Sequence, residues 1–170
     1  MIPIQTVRLS ANGSISFTNI PQNFTHLQIR GNGRCVNSGY ATIYSGFNGD
    51  RFGASNYHNT VFYGDASSRS MAVATAQAFF GPHYFIHSGA TANCWNGYII
   101  DILHYSSTSK TKSVRYLSGW DAINAGQIVF GDSVWNSTAA ITSFDMEPDA
   151  GFLAGSSATL YGIPTASVTT

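Results

Sequence analysis

The sequence predicts an all-β chain, folded as one antiparallel β-sandwich or barrel with short extended terminal arms. Three observations carry that prediction. Apolar residues alternate with polar ones at a period of two rather than 3.6 along the whole length. Clusters of Gly, Asn, Ser and Pro interrupt the alternation roughly every ten residues, the rhythm of a sandwich or barrel. The length, 170 residues, is enough to bury a core without a second unit, and no linker, charge block or long repeat divides it, so one domain over 1–170 is expected.

The elements follow in order. Residues 5–10 form a first candidate strand. Over 13–18, Ile15 and Phe17 alternate with Ser14, Ser16 and Thr18 before Asn19, Pro21 and Asn23 break the run; over 24–30 the alternation resumes through Phe24, Leu27 and Ile29. A strand over 40–47 ends at the Asn48-Gly49 turn signal, and another is expected over 59–64. Residues 71–79 are the one stretch where alanine's helix propensity competes. A strand fits better, because Ala72, Ala74, Ala76 and Ala78 then share a shallow face that another surface can approach closely. Residues 83–87 lie between Gly81-Pro82 and Gly89, and 96–103, 112–119, 126–131, 139–146 and 157–163 complete the set.

Composition narrows the function. Charged residues are 9% of the chain, against an average of about 25%, and eight Lys plus Arg balance eight Asp plus Glu. Polarity is instead supplied by Ser, Thr, Asn and Gly. A basic nucleic-acid surface is therefore not expected. The longest apolar runs, Tyr98 to Ile100 and Ala78 to Phe80, fall far short of the ~18 residues of a membrane span. The opening residues Met1 to Arg8 lack the basic and apolar regions of a secretory signal, which predicts synthesis in the cytosol. Cys35 and Cys94 form no redox or zinc spacing and read as packed or loop thiols, with a disulfide between them as the alternative.

The residues that carry chemistry elsewhere do not converge here. His83 and His87 would share a helix face, but four residues of strand hold same-face side chains ~13 Å apart, too far for one metal ion. Asp101 and His104, near Ser106 and Ser107, are offset by three and point to opposite faces of a strand, so no triad is expected. Asp145, Glu147 and Asp149 begin like a calcium loop, yet Ser156 stands where a bidentate Glu is needed and Pro148 ends the strand; a solvated acidic turn is expected. Lys110, Lys112 and Arg115 read as the solvated flanks of a hairpin. No catalytic residue, metal site or cofactor is predicted. Two groups remain as contact candidates. The first comprises the head residues Met1, Ile2, Pro3, Ile4 and Gln5, the tail Pro164 to Thr170 with Pro164 and Val168, and the small face of Ala72, Ala74 and Ala76. The second comprises Tyr57, His58, Tyr63 and Trp135, aromatic and neutral groups suited to a sugar or receptor, whereas Phe62 is read as core.

The run from Ile15 to Arg30 resembles a segment near the start of small structural proteins of tailed bacteriophages. Gly46 to Asp50 with Tyr57-His58, then Thr91 to Asn93 through Ile100 to Ile102 and on to Tyr105 to Lys110, then Ala154 to Ile163, follow in the same order. The resemblance covers about Ile15 to Ile163. It implies a virion protein with a jelly-roll-like sandwich, placed on the outer surface of the capsid as a decoration or cement protein and assembled in the host cytoplasm. Its implied partners are the major capsid protein and other virion proteins, in a homotrimer, without nucleic acid or membrane. The alternative it implies is a head-fibre or tail adhesin binding a host-surface glycan or receptor. Cys94-Trp95 and the Ala-rich strand depart from the pattern.

Overall fold

A computed structural model describes residues 1–39, 41–52, 55–65, 67–81, 84–122 and 125–164. Its strands are β1 (Ile2–Arg8), β2 (Ile15–Phe17), β3 (His26–Gly33), β4 (Ile43–Phe47), β5 (Tyr57–Asp65) and β6 (Arg69–Gln77), then β7 (Asn96–Leu103), β8 (Lys112–Asp121), β9 (Gly126–Trp135), β10 (Phe144–Pro148) and β11 (Ser157–Ile163). An eight-stranded sheet runs β1-β11-β3-β7-β8-β9-β5-β6, and a three-stranded sheet β2-β10-β4 packs on one of its faces. Every pairing between these strands is antiparallel. The chain is thus an all-β sandwich with an eight-to-three division of strands.

The period-two pattern explains the layering. Along β7, Asn96, Tyr98, Ile100 and Ile102 are buried while Gly97 and Ile99 face outward; along β3, Leu27 and Ile29 point in. The small sheet contributes Ile15, Phe17, Ile43, Phe47, Phe144 and Met146 to the same core. An aromatic cluster ties the layers together, with Phe47 4.9 Å from Phe80 and 5.5 Å from Trp135 between ring centroids. Such ring pairs add roughly 0.5–1.5 kcal/mol each beyond the area they bury.

The two edges of the large sheet differ. The head residues Met1 to Gln5 are extended, as expected, but they are docked rather than loose: Ile2 pairs with Gly162 and Arg8 with Ser157. A bulge between Pro3 and Gln5 turns both Ile4 and Val7 toward the core. Pro3 and the bulge blunt this edge. At the other edge β6 is exposed on both sides, and the strand expected over 71–79 is found there. The alanine face is shorter than expected, because Ala76 has φ 54° at an irregularity opposite Tyr57 and Asn59 and leaves the alternation set by Ala72 and Ala74. The strand expected over 83–87 is replaced by isolated bridges at Phe85 and His87. Pro164 is exposed just beyond β11; Val168 and His83 lie outside the described residues.

Two buried cations hold the loops. Arg34, 5% exposed, directs its guanidinium at five carbonyls of one loop: Nε to His87 O (3.1 Å), Nη1 to Thr91 O (3.0 Å) and Cys94 O (3.2 Å), Nη2 to Ser88 O (3.1 Å) and Ala90 O (2.7 Å). Lys112 is fully buried, where a solvated flank was expected. Its Nζ donates to Ser107 O and Lys110 O at 2.7 Å each and to Thr138 O at 3.2 Å, and burial pushes its pKa down. In both cases neutral carbonyls, not carboxylates, surround the charge. Cys35 is buried and Cys94 half-buried, both as free thiols.

Candidate interaction face

The side of the large sheet turned away from β2-β10-β4 is uncovered by the described residues. Register places its residues in rows across the strands. A ridge runs Met71, Phe62, Phe130, Leu117, Ile99 from β6 to β7 and continues into Arg30, Thr159 and Thr6. Two residues further along each strand, ~7 Å away, a second row runs Arg69, Gly64, Ile128, Gly119, Gly97. On the ridge's other side lie Val73, Thr60, Asp132, Arg115, Asp101 and Gln28.

The ridge is apolar and wet. Phe62 and Phe130 are each 49% exposed, Met71 59%, Leu117 44%, and the neighbouring Ile128 59% and Val73 65%. At about 200 Å² for a large side chain, these fractions leave roughly 600 Å² of contiguous apolar surface, at the top of the range for a monomer's largest patch. The glycine row makes a shallow hollow of about 430 Å³ beside it, lined by Gly97, Gly119, Ile99, Leu117, Ile128 and Arg30 among others. A Cβ built on Gly97 meets nothing within 4 Å, so the hollow is open directly above it. A wider cleft of about 820 Å³ lies at the end of the sheet, between the turns that follow β5 and β8, and shares Ile128 as a wall.

The polar row is internally matched. Arg115 Nε lies 3.6 Å from Asp132, both groups well exposed. Gln28 Nε2 donates to Asp101 at 2.6 Å, and Arg30 Nε donates to Gln28 Oε1 at 2.6 Å. His104 lies beyond β7 with φ 51°; its backbone N–H donates to His26 Nδ1 at 3.0 Å. Burial and the adjacent His104 hold His26 below the usual imidazole range, against the opposing pull of Asp101.

The expected sugar-contact set does not form one surface. Tyr57 is fully buried and Trp135 is 3% exposed, because each polar tip finds a partner inside: Phe47 N–H donates to the Tyr57 hydroxyl at 3.0 Å, and Trp135 Nε1 donates to Asp50 at 2.7 Å. His58 is exposed on the outer face, whereas Tyr63 is on the inner side of β5, 5.2 Å from the Tyr84 ring. Phe62, expected in the core, is instead exposed. The strand begins at Tyr57, two residues before the expected start, and its odd positions Tyr57, Asn59 and Val61 take the interior, which turns Phe62 outward.

The acidic run is spoken for. Arg51 reaches Glu147 at 3.0 Å and Asp145 at 3.5 Å, while burial raises the Asp145 pKa against the pull of Arg51. The strand ends at Pro148, as the sequence predicts. Among the described residues no group of three or more His, Cys, Asp or Glu side chains is placed to hold a metal ion. No described helix is long and apolar enough to cross a membrane. Comparison of the chain with protein-family models, curated proteins and solved structures finds no match.

Proposed function

We propose that this chain is a structural protein of a tailed-bacteriophage virion, a capsid decoration protein that binds the assembled shell and stabilises it. The observation that carries the reading is the contiguous apolar face of β5, β6, β8 and β9, left open on a sandwich whose buried Arg34 and Lys112 both brace loops. A surface of that size on a near-neutral chain favours association through shape and apolar contact, which salt weakens little. A part that binds only the assembled state stabilises it by mass action, and repetition over a shell multiplies the effect. The order of segments from Ile15 to Ile163 that resembles phage structural proteins supplies the virion context. The test is copy number in purified virions by quantitative mass spectrometry. Parity with the major capsid protein supports decoration, a few copies assigns the chain to a tail or fibre, and absence from the particle overturns the reading.

A further inference from the structure

We propose that the open face is occupied by a second copy of this chain, in a two-fold, face-to-face dimer that seats the ridge of each copy in the glycine row of the other. The proposal rests on the reading above only in taking this face as an assembly surface; it assigns the face to a second copy, leaves the head and tail segments as the contacts with any shell, and does not require a virion.

The argument is geometric. A two-fold axis lying in the interface, perpendicular to the strands and midway between the two rows, exchanges them. Along β8 the axis passes over Ser118, so Leu117 faces the partner's Gly119 and Gly119 faces the partner's Leu117. The same operation on β7 sets Ile99 over the partner's Gly97, and on β5 sets Phe62 over the partner's Gly64. Large side chains therefore meet glycines at three of the five strands. Phe130 meets the partner's Ile128 between them, an apolar contact. Strands of the two copies stay nearly aligned, the usual geometry of sheet-on-sheet packing. Self-complementarity of this kind is what an isologous interface needs.

Charge agrees with the same axis. One row further out on β8, Arg115, 65% exposed at its side chain, faces the partner's Asp121, and the symmetric contact repeats it. No like charges are brought opposite along β8. The roughly 600 Å² of apolar surface, with the flanking Arg69, Arg115 and Asp121, approaches the ~800 Å² per partner of a stable interface. A two-fold contact closes at two copies, which separates it from the homotrimer that the phage resemblance implies.

Sedimentation of the purified full chain at micromolar concentration tests this. The expected species is twice the 18.2 kDa chain mass. Phe130→Lys and Gly97→Phe each convert it to a folded monomer, the first by charging the ridge and the second by filling the hollow where a side chain has room. Arg115→Asp weakens the dimer at least tenfold, and adding Asp121→Arg restores it, which only this register predicts. Ile2→Lys on the blunted edge leaves the dimer intact. A monomer or trimer as the wild-type species, a dimer indifferent to Phe130→Lys, or a charge swap that fails to restore it overturns the inference. Because virion copy number is read separately, a monomer found at capsid parity refutes the dimer and leaves the decoration reading standing.

Discussion

Replacing Arg34 tests how the loop over 87–94 is held. Five guanidinium hydrogen bonds of 2.7–3.2 Å converge on five carbonyls from His87 to Cys94. Hydrogen bonds to a charged donor contribute about 1.5–3 kcal/mol each. Their simple sum overshoots, because a released loop rehydrates its carbonyls. A buried acceptor left without its partner costs ~1–3 kcal/mol, so with most of the five carbonyls rehydrated and one or two left dry, Arg34→Met is expected to cost about 3–5 kcal/mol. For a chain of this size about 4 kcal/mol lowers Tm by roughly 8–16 °C. Arg34→Lys keeps the charge but offers three rotatable donors on a point charge in place of a planar five-donor fork, so it recovers less than half of the loss. Thermal and urea unfolding by circular dichroism give the magnitude. Hydrogen exchange gives the place, with faster exchange at the Ser88, Ala90 and Cys94 amides, which bond to Asn37, His87 and Thr91 carbonyls. A loss below 1 kcal/mol for Arg34→Met, or a lysine variant as stable as wild type, refutes the argument.

Three further outcomes follow from the packing. Lys112→Met, close in size but without donors, strands three carbonyls and is expected to lower stability by about 2–3 kcal/mol in urea unfolding; a neutral result would mean that water reaches them. Gly131→Ala sets a Cβ into the Tyr116 ring across the β8–β9 pair, and the overpacking is expected to cost about 1–3 kcal/mol, read as a fall in Tm; an unchanged Tm would show that the ring moves aside freely. Alkali is expected to unfold the protein. Burial raises the pKa of Tyr57, Tyr98 and Tyr116, and that of Cys35 to about 12. Groups with raised folded values contribute stability in full below their unfolded values, near 10 for tyrosine and 8.5–9 for cysteine, and lose it as pH climbs toward the folded values. Lys112 works in the opposite sense, its penalty fading as it loses its proton, but one lysine stands against four groups. Fluorescence-monitored stability that stays flat from pH 9 to 11.5 would contradict this.

Strand identity was legible in the sequence wherever alternation was uninterrupted. The ranges 96–103 and 157–163 match β7 and β11 to the residue, because both alternate without a bulge between clear turn signals. Reading failed where the phase of a strand mattered more than its existence. Tyr57, Phe62 and Tyr63 are all apolar enough for either face; what decides is that Asp50 and the Phe47 amide satisfy Trp135 and Tyr57 from across the core, a long-range fact that no local window contains. Arg34 and Lys112 escaped for a similar reason. A charged residue in a polar stretch reads as solvated, and only the folded loops reveal a cage of carbonyls around it. The signal for the open face was present but faint: Leu117, Ile128 and Phe130 occupy the positions opposite in phase to Val114, Tyr116 and Val129, so β8 and β9 are apolar on both sides. A strand that is apolar on both sides asks for cover on both sides.

The placement of β11 sets a schedule for folding. It sits between β1 and β3, and β1 has no other strand partner, so Ile2 waits for Gly162 and Thr6 for Thr159. During synthesis β1 and one side of β3 stand unpaired while some 120 residues are added after β3. The β7-β8-β9 meander, by contrast, closes from neighbours and can form as soon as it leaves the ribosome. Pro3 and the bulge after it therefore protect an edge twice, once in the finished sheet and once in the nascent chain, where an unpaired strand is most exposed to the wrong partner.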